Sequence, residues 1–335
     1  MSLRVILESS YKEREIELDI SVIIPMKNAE AYVSQCIESI LKMDCGTFTY
    51  EVIVVDDKSS DNSRKIVQEF KKTNDAIKLI DGPGIGLAEA RRAGLAKAQG
   101  RYIGWVDSDD YIEPDMFLVL FEAAERAKAQ ITICDYDFFP QKTSRKKKWF
   151  RPINEKVTPY DIERNTQLWN KLFSKEFLDE VDFMDLLRNC SDGACAVLLI
   201  AAKKIITINK VLYHYRVGHA SLSGSYIDSG KYVRNIELTK AQRRAVVKLG
   251  LSEGWHEYFD YRIIYSLLQL LVIAGKNKRF DLYKMAVAEL KSLRYKNNRY
   301  LSSILNENHG RLKSQVLIRL VPVSWSIAKL VGFLF

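Results

Sequence analysis

The chain has 335 residues, 47% of them hydrophobic and 28% charged, with a formal net charge of +9. That balance describes a soluble globular protein with ample core and excludes a disordered, collagenous or disulfide-stapled chain. The positive excess calls for an anionic partner such as phosphate esters or an anionic membrane face. Nucleic acid is not expected, because the basic residues are not interleaved with a recognisable reading motif.

Residues 1–19 form an N-terminal extension that contains acids and no long apolar core, so no signal peptide is expected. Ile16, Leu18 and Ile20 alternate there, as in a lead-in or edge strand. Residues 20–140 then alternate strands with helices. Ile20 to Pro25 reads as a strand, followed by a helical pattern from about Ala29 to Leu41. Glu51 to Val55 is a second strand and Asp61 to Phe70 a second helix. Ile77 to Ile80 leads through glycines to a helix over Leu87 to Ala98. Tyr102 to Val106 is a fourth strand, Pro114 to Ala127 a helix, and Ile131 to Cys134 a further strand. Strands separated by such helices argue for right-handed βαβ units and a mainly parallel sheet.

The pattern changes near Gln141. Lys142, Arg145, Lys146, Lys147, Lys148 and Arg151 read as a solvated basic loop. Across 141–230 follow Trp169 to Phe173, helices over Ser174 to Val181 and Asp192 to Ala202, and strand-like Ile205 to Ile208 and Val211 to Tyr215. Residues 231–335 read as a helical region. In its last stretch Val316, Leu320, Val323, Ile327, Leu330 and Leu334 keep helical spacing, while Arg319 and Lys329 argue against a spanning helix. Two readings stay open: a helix in the membrane interface, or one docked on its own domain or a second subunit. The five cysteines are scattered and match no zinc or redox pattern. Reduced thiols and a cytoplasmic location are expected, with peripheral attachment to the cytoplasmic membrane face as an option.

The chemistry concentrates at Asp107-Ser108-Asp109-Asp110, which ends the Tyr102 to Val106 run. In open α/β sheets ligands bind beyond the carboxyl ends of strands. Carboxylates there offer hard oxygen ligands to Mg²⁺ or Mn²⁺, a cation that substrate phosphates complete. The other reading is that Asp109 or Asp110 caps the following helix. Capping uses one carboxylate; three in four residues repel unless a cation sits among them. Gly82, Gly84 and Gly86 do not form a dinucleotide fingerprint, because their spacing is wrong and they follow the third strand.

In their order, these motifs resemble family 2 glycosyltransferases, inverting enzymes of the GT-A fold, over about residues 20–225. Ser21 to Glu30 resembles the family's opening strand and loop, which implies nucleotide-sugar contacts by Pro25, Asn28 and Glu30. Lys27 stands where an aromatic residue is usual. Val55 to Ser63 resembles the second-strand acidic motif, in which Asp57 would accept a hydrogen bond from the uracil imide. Asp61 or Ser60 also suits the cap of the second helix. Arg91 matches a nucleotide-side arginine, whereas Arg92 replaces the usual Asn. The resemblance gives Asp109 to the metal, Asp107 to the sugar nucleotide or the hydration shell of the metal, and Ser108 to the sugar nucleotide.

Trp169-Asn170-Lys171-Leu172-Phe173 resembles the acceptor-side element. Trp169 suits either stacking on a sugar or packing in the core. Ser191-Asp192-Gly193 falls where the family places its base; Asp192 takes that role, with Ser191 in place of the usual Glu and Asp182 and Asp185 as competitors. In the Tyr213 to Ser223 stretch, Arg216 suits a diphosphate. His219 there reads as a third metal ligand, a phosphate donor or a plain surface residue.

The resemblance implies an α/β GT-A fold in two halves, 20–140 binding the nucleotide sugar and 141–230 facing the acceptor, followed by the helical region. It also implies inverting transfer from a UDP-sugar to a glycan or lipid-linked hydroxyl with Mn²⁺ or Mg²⁺, as in surface polysaccharide synthesis. The oligomeric state stays open. Two rivals remain: a catalytically silent glycan- or membrane-binding protein, and a nucleotidyltransferase. The second would carry a Gly-rich basic first loop, which Pro25 to Glu30 is not.

Overall fold

A computed structural model of the chain describes residues 18–46, 48–140, 152–153, 156–218 and 229–334. His219, the basic loop over 142–151 and the expected lead-in strand before Leu18 lie outside the described residues. The chain divides into two compact units, each discontinuous in sequence.

The first unit comprises Met1–Asn154, Leu168–Met184 and Ala202–Arg216. β1 (Ile20–Met26), β2 (Tyr50–Asp56), β3 (Ile77–Asp81) and β4 (Tyr102–Trp105) are its parallel strands. Every residue of β1 is buried, as befits a strand covered on both faces. The connections run through α1 (Val33–Leu41), α2 (Ser63–Thr73) and α3 (Leu87–Leu95), and α4 (Met116–Ala127) follows β4. α1 buries Val33, Cys36, Ile37 and Ile40, the apolar side that its spacing announces.

β5 (Tyr111–Ile112), β6 (Ile131–Phe139), β7 (Lys171–Ser174) and β8 (Ile205–Arg216) complete an eight-stranded sheet among the described residues, in the order β3-β2-β1-β4-β7-β6-β8-β5. β7 runs antiparallel to both β4 and β6, and β8 runs parallel to β6. The short α6 (Lys175–Glu180) closes this part, its Ser174 hydroxyl accepting the Phe177 N–H at 3.4 Å. β5 was not among the expected elements, and two others differ from expectation. β6 continues past Cys134 through a register shift, and the two segments foreseen near 205–215 are one strand. The first follows from a period-two pattern in β6, where Asp135 and Asp137 alternate with Tyr136 and Phe138. The aromatic pair packs on Trp169 at 4.8 Å and Tyr215 at 5.9 Å.

The second unit comprises Glu155–Gln167, Asp185–Ala201 and Val217–Phe335. It holds α5 (Pro159–Arg164), whose Thr158 and Asp161 form a capping box. α7 (Phe183–Cys190) enters it from the sheet unit, and a 3₁₀ turn at Ser191–Gly193 leads to α8 (Ala194–Ala201). Then come α9 (Ser229–Lys248), α10 (His256–Lys276), α11 (Phe280–Ser292), α12 (Arg299–His309), α13 (Arg311–Gln315) and α14 (Trp325–Leu334). The helical character expected from Lys231 onward is therefore present. α10 is apolar nearly all round and forms the centre of the unit.

The terminal helix docks on its own unit, with Ala328 and Val331 buried and Trp325 against Phe280 and Tyr283 at 5.1 Å each. The helix expected over Val316 to Leu334 is interrupted by a turn at 321–323, and along this segment Leu320 is 46%, Val323 73% and Leu330 60% exposed. Among the described residues no helix is long and apolar enough to cross a membrane. Cys36, Cys134, Cys190 and Cys195 are buried free thiols, and Cys45 is half-buried.

Candidate active site

The register Met26↔Asp56 and Ile23↔Trp105 brings the carboxyl ends of β2, β1 and β4 to one edge of the sheet. Pro25 is buried within β1 opposite Val55, so it shapes the strand end and presents no polar group. The loops that follow are stitched together. The Asn28 side-chain oxygen accepts the Ser60 N–H at 2.8 Å, and Glu30 accepts the Asn62 N–H at 2.8 Å. The N-cap of α2 is Asn62, without a side-chain cap, so neither Asp61 nor Ser60 caps the helix as expected; Asp61 instead accepts the Ser63 N–H at 3.0 Å from outside the helix. Asn28, Glu30 and Lys27 are exposed at this rim.

Asp57 is buried at the end of β2. Its carboxylate accepts the N–H of Gly84 at 2.5 Å and of Gly86 at 3.1 Å, and Lys27 Nζ stands 4.0 Å away. The glycine loop before α3 is thus fastened to the carboxylate that the motif set apart for a nucleobase. Gly82 makes the approach feasible, since a Cβ there would lie 2.9 Å from the Asp57 Cα. A carboxylate accepts about four hydrogen bonds, so Asp57 keeps capacity for a further donor.

At the end of β4 the three acids have different roles. Asp107 accepts from Arg91 Nη2 at 2.8 Å, and Arg91 on α3 is buried. Asp110 is buried as well; it accepts the Tyr213 hydroxyl at 2.6 Å and the Arg216 N–H at 2.7 Å. Burial, followed by the neighbouring charges of Asp107 and Asp109, pushes the Asp110 carboxyl well above the usual carboxylate range. The Cys36 thiol beside the loop is raised by burial first and by the same acids next. Neither Asp109 nor Asp110 caps α4, which starts after Asp115 without a side-chain cap. Asp107, Ser108 and Asp109 are half-buried and reach solvent.

Arg216, at the end of β8, belongs to the same cluster. Its Nε donates to the Asp109 carbonyl at 2.7 Å and its Nη2 to Gln35 at 2.5 Å. The guanidinium lies 5.0 Å from the Tyr32 ring centroid and 5.1 Å from that of Phe139. Sequence reasoning missed Tyr32, Gln35 and Tyr213. Tyr32 was legible only as part of an apolar helix face, and Tyr213 acts through a partner far away in sequence.

The donor set fits a divalent cation of the hard class. Asp107 and Asp109 offer carboxylate oxygens at the sheet edge while Asp110 is withdrawn from it. Among the described residues no group of three or more His, Cys, Asp or Glu side chains could hold an ion unaided. Two carboxylates suit a cation whose remaining ligands are phosphate oxygens and water.

The acceptor-side motif is interior. Trp169 is buried and nearly parallel to Tyr213 at 4.3 Å and Tyr215 at 5.3 Å, the core packing that was one of its two readings. Asn170 and Lys171 are fully buried; Lys171 Nζ donates to Asn170 Oδ1 at 2.7 Å, and Asn170 Nδ2 donates to the Cys134 carbonyl at 2.5 Å. Asp192 lies in the helical unit, half-buried in the 3₁₀ turn, after a left-handed Ser191 at φ 51°. Asp182 is exposed, and Asp185 accepts from Asn189 at 2.9 Å.

Comparison with known proteins agrees with this geometry. Glycosyltransferase GlyA of Streptococcus pneumoniae is 30% identical over 223 residues, which are 61% of this chain and 31% of that protein. The uncharacterized glycosyltransferase EpsJ of Bacillus subtilis is 28% identical over 220 residues, 61% of this chain and 62% of its own length. The chain thus spans less than two thirds of these relatives. The S. aureus TarS 1–349 structure with UDP-GlcNAc superposes with a TM-score of 0.59 at 16% identity, covering 90% of both chains. Residues 21–181 match the family model described as Glycosyl transferase family 2. This region is a glycosyl transferase family 2 region, on the GT-A fold that its motifs announce.

Proposed function

We propose that the chain is a metal-dependent, inverting glycosyltransferase that moves a sugar from a UDP-sugar to a hydroxyl of a glycan or lipid-linked acceptor. The observation that carries this reading is the joint placement of Arg216 and the Asp107 to Asp109 edge, with the Arg216 Nε bonded to the Asp109 carbonyl at 2.7 Å. A permanent cation and two carboxylates on one loop suit a diphosphate and its counter-ion. The UDP-GlcNAc bound by TarS supports a uridine nucleotide. Asp57 accepts from the base edge, Arg91 holds Asp107 in place, and Arg216 compensates the negative charge of the diphosphate. Asp107 and Asp109 would hold Mn²⁺ or Mg²⁺, which when bound compensates charge on the departing diphosphate. Asp192 takes the acceptor proton, so one displacement inverts the anomeric centre.

Thermal unfolding of the protein with UDP, with and without Mn²⁺, tests the donor half. Ligand at about 100 times its Kd stabilises by about 2.7 kcal/mol. The expected result is a rise with UDP that is larger with Mn²⁺; an unchanged midpoint in both would remove the donor site.

The outward leucines and valine of the terminal segment alternate with Arg311, Lys313, Arg319 and Lys329, which supports attachment to an anionic membrane surface. Sedimentation with phosphatidylglycerol vesicles should fall with added salt and with Val323→Glu, each basic residue near the surface contributing about 1 kcal/mol. Retention that ignores both would discard the attachment.

A further inference from the structure

The helical unit carries a solvent-open cavity of about 330 Å³. That falls within the small-molecule range of about 300–1,000 Å³. The transfer mechanism uses it only through Asp192 on its wall. The other walls are polar side chains of α5, α9 and α10 together with the Ser191 to Gly193 turn; Leu238 is the one aliphatic side chain lining it among the described residues. Three polar atoms of lining residues are buried without a hydrogen-bond partner among the protein's own groups: Gln242 Oε1, the Tyr261 hydroxyl and Arg262 Nη1. Gln242 is 3% and Tyr261 1% exposed. Proteins pair the large majority of buried polar groups, and each unpaired one costs about 1–3 kcal/mol. Three such atoms on residues of one cavity wall point to a ligand as their partner.

The charge on the walls narrows the class of that ligand. Glu163 and Asp192 oppose the single guanidinium of Arg262, and Arg262 Nε already lies 3.8 Å from Glu163 Oε1. Glu163 also accepts the Tyr258 hydroxyl at 2.8 Å. A phosphate or carboxylate would meet an arginine already compensated by Glu163 and would add a like charge beside Asp192. A neutral sugar suits the walls better: its hydroxyls both donate and accept, and its ring face packs on Tyr232, Tyr261 or Tyr265. The amide of Gln242 is pressed against the turn that carries Asp192, since a Cβ on Gly193 would lie 2.0 Å from Gln242 Nε2. We infer that this cavity binds an uncharged glycosyl unit of the acceptor, recognised by Gln242, Tyr261 and Arg262. The word acceptor here rests on the transfer reading; the sugar site itself does not.

The test is calorimetry and saturation-transfer NMR of the full chain with methyl glycosides of neutral hexoses and N-acetylhexosamines, and with glycerol 3-phosphate. At least one methyl glycoside should bind and glycerol 3-phosphate should not displace it. Tyr261→Phe deletes only a hydroxyl without a protein partner, so its midpoint should hold while glycoside affinity falls about tenfold. Gln242→Leu, checked by the same midpoint, should act in the same direction. Preference for glycerol 3-phosphate, or unchanged affinity in both variants, overturns the inference. So does absence of glycoside binding in a protein that UDP and Mn²⁺ stabilise, which leaves the donor site standing. Glycoside binding without any nucleotide shift upholds the sugar site and removes the transfer reading instead.

Discussion

Asp109→Asn should lower kcat for sugar transfer by about 10³-fold while leaving the unfolding midpoint within about 0.5 kcal/mol of wild type. The expected loss is electrostatic: the amide keeps the shape of the carboxylate but not the charge that holds a hard dication. The fold should tolerate the change because the loop is anchored by other atoms. Arg216 Nε bonds the Asp109 main-chain carbonyl, and Asp110 holds both Tyr213 and the Arg216 N–H. Asp107→Asn should behave differently. It weakens the ion pair that Arg91 makes with a partly exposed carboxylate, so a measurable drop in the midpoint is expected, smaller than the about 3–5 kcal/mol of a fully buried pair. UDP release across a Mn²⁺ titration, read beside the unfolding midpoint, separates the two variants. Full Mn²⁺-dependent turnover in Asp109→Asn would eliminate this carboxylate as a metal ligand.

Asp192→Asn should retain the UDP-dependent stabilisation and lose turnover by about 10²–10⁴-fold, the usual contribution of a positioned base. Asp182→Asn and Asp185→Asn serve as comparators on the same stretch. Asp182 faces solvent, while Asp185 is engaged by Asn189 at 2.9 Å and has Lys248 at 3.9 Å. Both should keep turnover within a few fold. Transfer assays with saturating donor distinguish the three, and wild-type turnover in Asp192→Asn would move the base elsewhere.

β1 to β4 were legible because central parallel strands must be apolar on both faces, and continuous runs such as Ser21 to Pro25 satisfy that. The acidic edge was legible as a group but not as individuals. Asp107, Asp109 and Asp110 look alike in sequence, and only Tyr213 and Arg216, far along the chain, decide which one is withdrawn. The same limit applies to Trp169, whose stacking on Tyr213 and Tyr215 exists only after β7 and β8 join the sheet. β5 gave no signal at all. It is two residues long and is held by Tyr111 stacked on His214 at 4.4 Å, with the His214 ring bonded to Asp137 and Glu113. Asp57 shows a further kind of gap: its position was clear, whereas its grip on Gly84 and Gly86 depends on backbone geometry.

The chain leaves the sheet unit for the helical unit and returns before leaving again, so Glu155–Gln167 and Asp185–Ala201 belong with Val217–Phe335. Chimeras with relatives must respect that interlacing. A graft cut only after Arg216 would pair a foreign α9 with the native Asp192 turn, although Gly193 and Gln242 are fitted to each other. Exchange of the helical unit between relatives therefore requires three segments to travel together, and a single crossover should yield folded sheet units with a disordered Asp192 turn.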